Sequence, residues 1–305
     1  MRRLVIALAL AGLAAVAAFW FLTMPRTLAA ADLPDHAGDP ERGRSVFYAA
    51  GCRSCHAAPG AKGEDKLRLA GGLAIESPFG TFVAPNVSPD PVHGIGGWSE
   101  LDFVNAMLRG VAPDGRHYYP SFPYLSYRRM TLKDVLDLKA FMDTLPAVAG
   151  DAPDHELPAY LRWRRLLGGW KLLAMGYRPF EPIPGEDVQV NRGAYLVNGP
   201  GHCGECHTPR NALGIPAMGR AFTGAPDPEG KGDAVPNITP HADGIGSWSA
   251  AEIATALKTG LLPEFETFGG SMIPVQENMA ELSDEDRAAI AAYLLSLPPR
   301  PSWSP

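Results

Sequence analysis

The sequence predicts an all-α protein in which two small helical domains follow an N-terminal transmembrane helix. Three observations support this fold class. An uncharged apolar run lies near the N-terminus, all four cysteines fall in two copies of one pentapeptide, and the segments around each copy recur about 151 residues later. Two copies of this length indicate a duplicated domain, because a solenoid needs shorter repeats and at least three of them.

The N-terminal apolar run extends from Leu4 to Leu22 and follows two arginines. Its 19 residues are long enough to cross the hydrocarbon core of a bilayer, and the preceding positive charge predicts a cytoplasmic N-terminus. Three alanines at 29–31 could form a cleavage site, so a removed signal peptide is the alternative. We therefore assign residues 1–31 to a transmembrane anchor or a signal peptide. With either one, the rest of the chain is exported.

The two pentapeptides are CRSCH at 52–56 and CGECH at 203–207, and Cys-x-x-Cys-His is the attachment sequence of haem c. On one helical turn the two sulfurs point to the same side, where each can form a thioether with a porphyrin vinyl group. The histidine that follows then binds the iron as proximal ligand. Zinc sites place such pairs roughly 12–20 residues apart, which disfavours zinc here. The predicted residues of two covalent haems c are Cys52, Cys55, His56, Cys203, Cys206 and His207.

The composition allows two globular domains and excludes some classes of function. The chain has 305 residues, of which 46% are hydrophobic and 20% charged. Its net charge of −6 argues against a nucleic-acid partner, which would require a basic face. The sequence also has no phosphate-binding loop, His-Glu-x-x-His motif or serine nucleophile elbow.

The repeated segments define the domain boundaries. Two such pairs are a Pro-Asn-x-Ser/Thr-Pro segment and a Gly-Ile-Gly-x-Trp-Ser loop. We assign residues 35–150 to domain 1, residues 187–300 to domain 2 and residues 151–186 to a linker that contains a helix. In each domain the serine that ends the second segment is expected to cap a middle helix, since an acidic residue follows three positions later.

Each domain is expected to pack its first helix against its last. A glycine on the first helix, Gly43 or Gly193, would allow an aromatic residue of the last helix, Phe141 or Tyr293, to approach the backbone closely. Apolar residues on the last helix recur at helical spacing, which predicts a buried stripe.

The linker mixes arginines with tryptophans between 157 and 173, and two interpretations remain open. The segment could be a basic amphipathic helix that rests on lipid headgroups. Alternatively, it could be an interdomain helix that buries Trp163 and Trp170 against both haem domains.

Residues 191–196 and 201–211 and both Gly-Ile-Gly-x-Trp-Ser loops resemble the membrane-bound multihaem cytochrome c subunits of periplasmic alcohol, aldehyde and gluconate dehydrogenases. The resemblance extends from about Pro40 to Pro299, and it implies two tandem cytochrome c domains that transfer electrons and do not act as an enzyme. Subunits of the alcohol and gluconate enzymes usually have three haem sites, whereas this chain has two. It therefore resembles more closely the dihaem relatives that accompany molybdenum-containing aldehyde dehydrogenases.

A methionine as sixth ligand would raise the potential of a haem and close its iron to small molecules. In domain 2 the candidates are Met218, Met272 and Met279. The resemblance favours Met272, which ends a glycine-rich turn expected in the loop before the last helix, and Met279 is expected to pack in the core.

Domain 1 has Phe122 where many relatives have a methionine. We expect Met130 to be the ligand there, with His93, His117 or an open iron as alternatives. The predicted iron ligands are His56, Met130, His207 and Met272.

Three kinds of side chain near the haems have more than one interpretation. Asn86 and Asn237 could bond haem propionates or form Asx turns. Trp98 and Trp248 could donate to a propionate or simply pack in the core. Arg210 could pair with a propionate in a bidentate manner.

The sequence thus predicts an anchored dihaem cytochrome c of the inner membrane with its haem domains in the periplasm. It would relay electrons from a dehydrogenase of molybdenum, quinoprotein or flavin type to a respiratory acceptor, namely quinone, another cytochrome or an oxidase. The alternative is a dihaem redox enzyme of peroxidase or thiosulfate-oxidising type, which would require an open or bis-histidine iron.

Overall fold

The computed structural model describes residues 1–175, 179–227 and 234–304. Three residues of the predicted linker and six of domain 2 therefore lie outside the described residues. The described residues are mainly helical, which confirms the all-α prediction, and two short antiparallel strands, β1 (Ala74–Ile75) and β2 (Phe82–Val83), form a small sheet in domain 1. The helices are α1 (Arg2–Leu22), α2 (Pro40–Ala49), α3 (Cys52–His56), α4 (Glu100–Arg109), α5 (Tyr124–Tyr127), α6 (Leu132–Met142), α7 (Ala159–Arg162), α8 (Arg165–Ala174), α9 (Val188–Asn198), α10 (Gly204–His207), α11 (Ala250–Thr259), α12 (Met272–Met279) and α13 (Asp284–Ser296).

Helix α1 is the N-terminal apolar segment. Its mean hydropathy is 2.5 over the most apolar window, none of its residues is buried, and among the described residues it is the one helix long and apolar enough to cross a membrane. The helix ends at Leu22, with Thr23 as its C-cap and Pro25 two residues beyond.

The first and last helices of each domain pack as the sequence predicts. A Cβ atom at Gly43 would lie 1.9 Å from the carbonyl oxygen of Asp137 on α6 and 2.9 Å from the Cβ of Phe141. A Cβ atom at Gly193 would likewise lie 1.9 Å from a backbone oxygen of α13 and 2.7 Å from the Cβ of Tyr293. Only glycine allows either contact, since real Cβ atoms do not approach other atoms so closely.

The middle helices α4 and α11 both begin with the predicted capping box. The Ser99 hydroxyl accepts from the Asp102 amide at 3.2 Å, and the Asp102 carboxylate accepts from the Ser99 amide at 3.1 Å. Ser249 and Glu252 repeat both hydrogen bonds at 3.2 and 2.7 Å. Each pair satisfies backbone donors that the first helical turn leaves without a partner.

The linker agrees with the interdomain interpretation at Trp170 of α8 and departs from it at Trp163, which follows α7. Trp170 contacts the ring of Tyr124 in domain 1 at 6.5 Å and donates its indole N–H to the carbonyl of Leu213 in domain 2 at 2.8 Å. Trp163 is 54% exposed and lies against Phe19 of α1, with 5.7 Å between the ring centroids. The linker therefore contacts both haem domains and the N-terminal helix.

The two domains share one hydrophobic core. A single cluster of buried residues includes Phe47 and Leu138 of domain 1 together with Val197 and Ile290 of domain 2. Because apolar packing continues from one domain into the other, the relative placement of the two haem segments is fixed by the core.

Candidate haem sites

The first Cys-x-x-Cys-His motif forms the short helix α3, which begins after Gly51 in the left-handed conformation (φ 63°). The Nδ1 atom of His56 lies 2.9 Å from the carbonyl oxygen of Pro85 and must donate to it, since a carbonyl only accepts. This hydrogen bond fixes the tautomer and leaves the Nε2 lone pair for a metal. Burial also lowers the pKa of His56, which favours the neutral ring that binds iron.

The second motif has the same geometry. The Nδ1 atom of His207 lies 2.8 Å from the carbonyl oxygen of Pro236, and burial lowers the pKa of His207 as well. Pro85 and Pro236 both open the repeated Pro-Asn-x-Ser/Thr-Pro segments. The repeated segment therefore supplies the carbonyl that orients each proximal histidine.

The asparagines of these segments form Asx turns. The Asn86 side-chain oxygen accepts from the Ser88 amide at 2.9 Å, and its amide group donates to the Val148 carbonyl at 2.8 Å. Asn237 makes the equivalent hydrogen bonds, both at 2.8 Å, to the Thr239 amide and to a carbonyl that follows α13. Both side chains thus hold the histidine-orienting loop against the end of their domain, which agrees with the Asx-turn interpretation.

None of the four cysteines forms a disulfide. Desolvation raises the pKa of Cys52 to about 12, of Cys203 to about 12 and of Cys206 to about 11. The motif residues fit a covalent haem, because each site has two reduced sulfurs on one turn beside a histidine whose Nε2 is free. When bound, the porphyrin would be held through both sulfurs.

The two candidate distal methionines occupy different positions in their domains. Met130 is buried in the turn between α5 and α6, and it packs in the core that also borders Cys52. Met272 is half-buried and begins helix α12, so the expectation that it lies in a loop is wrong. Met279, at the other end of α12, is buried in the core as expected.

The histidine alternatives for the first iron already have protein partners. His93 lies 3.2 Å from the Asp90 carboxylate, and the Nε2 atom of His117 lies 3.0 Å from the carbonyl oxygen of Thr23. His117 must donate through Nε2 to that carbonyl, which removes this nitrogen as a ligand. The Nδ1 atom of His117 is buried and has no hydrogen-bond partner among the described residues, so Met130 stays a prediction for the first haem beside the histidine alternatives.

Each haem-attachment motif also binds the other domain. In the first motif, Arg53 donates from Nε to the side-chain oxygen of Asn278 at 3.1 Å and from a terminal nitrogen to the Glu277 carbonyl at 2.9 Å. The Ser54 hydroxyl donates to the Pro274 carbonyl at 3.1 Å. All three partners lie on α12, the helix that Met272 begins.

The second motif likewise contacts domain 1. Glu205 accepts from the Ser126 hydroxyl at 2.7 Å, and Ser126 lies on α5, just before Met130. Arg210 forms an ion pair with Glu205 and donates to the Gly214 carbonyl at 2.8 Å. In the described structure Arg210 thus pairs with Glu205 of the motif and with the loop that follows it.

The residues that precede the two motifs touch directly. Gly51 and His202 occupy equivalent positions of the repeat, and His202 also has a left-handed backbone, with φ 39°. The Nε2 atom of His202 lies 3.9 Å from the position of a Cβ atom at Gly51, and its ring stacks edge-on against Tyr127 at 5.6 Å. Tyr127 in turn donates to the Ala50 carbonyl at 2.8 Å. These contacts bring the two haem-attachment segments side by side.

Sequence reasoning missed this reciprocal contact. The middle residues of the motifs vary between cytochromes, so Arg53, Ser54 and Glu205 carried no signal as interface residues. The one available signal was the difference between the copies, because His202 replaces a glycine that the repeat places at an equivalent left-handed position.

A cavity of about 310 Å³ lies beside Trp98 in domain 1. Its other polar walls are Asp114, Arg116, His117 and Arg164. Trp98 therefore borders an open space and also packs against the core, which leaves both interpretations of this residue in force.

Known proteins match the chain along most of its length. The cytochrome c family matches it twice, over residues 40–146 and 190–298. A dihaem c-type cytochrome of Cereibacter sphaeroides is 48% identical over 298 residues, which are 97% of this chain and 98% of that protein.

Two dehydrogenase subunits are also similar. The cytochrome c subunit of the quinone-dependent alcohol dehydrogenase of Gluconacetobacter polyoxogenes is 39% identical over 272 residues, covering 86% of this chain and 56% of that subunit. The cytochrome subunit of the fructose dehydrogenase of Gluconobacter japonicus is 36% identical over 266 residues, covering 86% of this chain and 53% of that subunit. Both subunits thus extend well beyond the matched region. With matches over both domains and a relative similar along its whole length, the chain belongs to the cytochrome c family and is a dihaem member with two covalent haems c.

Proposed function

We propose that this cytochrome is a membrane-anchored relay that receives electrons from a periplasmic dehydrogenase and passes them to a respiratory acceptor. The observation that supports this most strongly is the reciprocal contact between the two haem-attachment motifs. Arg53 binds α12 of domain 2, Glu205 binds α5 of domain 1, and His202 lies against Gly51. Such a contact holds the two haem-attachment segments close together, which supports electron transfer between two haems.

In this proposal Cys52 and Cys55 form the thioethers of the first haem, and Cys203 and Cys206 those of the second. The proximal ligands are then His56 and His207, each oriented by a proline carbonyl. The distal ligands are Met130 and Met272. Methionine on both irons would close them to peroxide and other small substrates, which supports a relay over a dihaem enzyme.

When bound, each haem supplies a one-electron couple between ferric and ferrous iron, so oxidation of a substrate by two electrons requires two passages along the chain. The protein residues set the geometry of this transfer. Pro85 and Pro236 orient the proximal rings, while Arg53, Ser54 and Glu205 hold the two motifs together. Protein dipoles and burial then tune the potentials.

The N-terminal helix is proposed to remain in the mature protein as an anchor in the inner membrane. Its outer end is built into domain 1: the Thr23 carbonyl accepts from His117, and the Asn105 side chain accepts from the Leu28 amide at 2.7 Å. A cleaved signal peptide would have no reason to make specific contacts with the mature fold. The haem domains would then stand in the periplasm.

The partner class follows from the relatives. Alcohol, fructose, gluconate and nicotinate dehydrogenases all include subunits similar to this chain. We therefore propose a dehydrogenase of molybdenum, quinoprotein or flavin type as donor, and a quinone, cytochrome or oxidase as acceptor.

Deletion of the gene tests the proposed function. Membranes of the deletion strain should lose oxygen uptake that depends on one periplasmic dehydrogenase, whereas the activity of that dehydrogenase with an artificial dye should persist. The purified cytochrome should oxidise no alcohol or aldehyde and turn over little peroxide. Substantial turnover by the isolated protein would replace the relay with a dihaem enzyme.

A further inference from the structure

The outer end of α1 is held by a specific junction. Thr23 is almost fully buried, and its hydroxyl accepts from Nε of Arg165 at 2.9 Å. Arg165 also donates to the carbonyl of Trp20, and its guanidinium lies 4.2 Å from the centre of the Trp20 ring. A Cβ atom at Gly168 would lie 2.4 Å from the Thr23 carbonyl oxygen, so the two backbones meet directly.

Helix α8, which forms this junction, is itself fixed to domain 1. Lys171 is buried, and its ammonium group donates at 2.7 Å to both the Arg109 and the Gly110 carbonyls at the end of α4. A cation at the C-terminus of a helix is stabilised by the helix dipole. Helix α1, α8 and domain 1 are therefore joined by direct contacts. As a result, the side chains around the junction have a fixed position along the axis of α1.

Apolar and aromatic side chains of α7 and α8 remain exposed around this junction. Tyr160 is 61% exposed and Leu173 67% exposed, and Trp163 and Leu172 are also exposed. Leu172 lies one turn beyond Gly168 and Gly169, on the side of α8 that meets α1, because residues three and four apart share a helix face. The same end of α1 exposes Trp20 and Phe21.

We infer that these side chains form a second membrane contact, in which Tyr160, Trp163, Leu172 and Leu173 enter the headgroup region of the outer leaflet around the exit of α1. Their continuity with the spanning helix identifies the occupant as phospholipid, since the ring of Trp163 packs on Phe19 of α1 itself. Tyrosine and tryptophan favour this depth, where the apolar ring and the polar group are both satisfied. Exposed Arg162, beside them, would meet lipid phosphates.

The inference of a second membrane contact rests on the proposal that α1 anchors the protein, and it adds a second point of attachment. A single helix would leave the haem domains free to tilt, whereas two contacts would hold domain 1 against the membrane in one orientation. The first haem would then lie at a constant distance from acceptors within the bilayer.

Spin labels on single cysteines in the full chain can test the inference. The native cysteines are consumed by the haems, so a cysteine introduced by Tyr160→Cys or Leu173→Cys is the one site that takes the label. The protein would be reconstituted in nanodiscs of phosphatidylethanolamine and phosphatidylglycerol and reduced, so that the low-spin ferrous haems are diamagnetic. Power saturation with oxygen and with a water-soluble nickel chelate then reports the depth of each label.

Two further labels separate failure of this inference from failure of the anchor. Leu13→Cys lies in the middle of α1, and Val188→Cys lies at an exposed position of domain 2. We expect labels at 160 and 173 to be at least three-fold more accessible to oxygen than to the nickel chelate, with the label at 13 deeper and the label at 188 in water. If labels 160 and 173 match label 188 while label 13 stays in lipid, the second contact is wrong and the anchor stands. If label 13 is also in water, both proposals fail. Unchanged haem content in all four variants shows that the fold is intact.

Discussion

The two haem domains are copies of one another that differ in the loop after the middle helix and in the position of the candidate distal methionine. Both use a glycine to pack the first helix on the last, a Ser-x-x-acid box to begin the middle helix, and a proline carbonyl to orient the proximal histidine. These shared features set the core and the proximal side of each haem. The duplication therefore preserved what builds a haem site.

The loop after the middle helix shows the clearest difference. Domain 1 has Asp114-Gly115-Arg116-His117 and domain 2 has Glu264-Phe265-Glu266-Thr267 at the equivalent positions. The first loop supplies the histidine that binds Thr23 at the end of α1. The second loop is more acidic and carries an exposed aromatic side chain. The loop of domain 1 thus holds the end of α1, whereas the loop of domain 2 is exposed at Phe265.

The distal side also differs between the copies. Met130 directly precedes Thr131, the N-cap of α6, whereas the residue that precedes the equivalent cap of α13 is the buried Leu282. Met272 lies ten residues earlier, at the start of α12. The two candidate distal methionines therefore lie on different elements of their domains.

Removal of one motif should have the largest effect and tests whether the copies fold independently. Cys203→Ala with Cys206→Ala should lower the haem content from two to one per chain, because thioethers are the covalent attachment. Pyridine haemochrome spectra and intact mass would measure it, with Cys52→Ala and Cys55→Ala as the matched pair. Retention of two covalent haems in either variant would refute the attachment sites. Loss of both haems would show that the shared core does not tolerate an empty domain.

Substitution of a predicted distal ligand should have the next largest effect. Met272→Ala and Met130→Ala should each abolish the methionine–iron charge-transfer band of one haem. Each should lower the potential of that haem by an amount on the order of 0.1 V, within the roughly 0.8 V that axial ligands can set. Optical redox titration measures both effects, and Met279→Leu is the control because Met279 packs in the core. A normal spectrum in Met130→Ala would return His93, His117 or an open iron to consideration.

Substitution of the glycines at the helix contacts should have the third largest effect. Gly43→Ala and Gly193→Ala each place a methyl group 1.9 Å from a backbone oxygen, so each should destabilise its domain by about 1–3 kcal/mol or more. Denaturant unfolding followed by haem absorbance would measure the loss. Gly219→Ala is the control, since a Cβ there meets nothing within 4 Å. Equal stability of all three variants would show that the helix contact yields easily.

Sequence patterns predicted the repeated features well, because each rests on local rules. The capping boxes need only a serine and an acid three residues apart, and the haem motifs need only one helical turn. The sequence also indicated close packing at Gly43 and Gly193, where a small residue recurs at the same place in both copies.

The contacts between the two motifs could not be predicted in this way. Arg53 meets Asn278 and Glu277 more than 200 residues away, and no periodicity encodes such a pairing. The linker helix was ambiguous for a related reason. A helix with basic and aromatic residues can face lipid or protein, and the two tryptophans of the linker differ in this respect: Trp170 lies between the domains, whereas Trp163 is exposed beside α1.

The smallest expected effect concerns Phe265, which occupies the position of Gly115 in domain 1 and is the clearest difference between the two loops. Its φ of 62° lies in the left-handed region, where Gly115 of domain 1 also lies, and its side chain is 86% exposed. A bulky residue in this conformation is strained, and an exposed ring gains no packing energy that would offset the strain. Flanked by Glu264 and Glu266, the ring would suit a partner with an apolar depression and a basic rim.

Phe265→Gly should therefore leave both haems in place and raise the free energy of unfolding by up to about 1 kcal/mol, because the strained residue is replaced by one that accepts the conformation. The same change should slow reduction of the second haem by the partner dehydrogenase several-fold in stopped-flow measurements, and the double change Glu264→Gln with Glu266→Gln should weaken the salt dependence of that rate. Val92→Ala, at an exposed position of domain 1, should leave both the free energy of unfolding and the rate of reduction nearly unchanged. A partner that reduces the Phe265→Gly protein at the unaltered rate would place its docking surface elsewhere, and the strain at this position would then have no part in recognition.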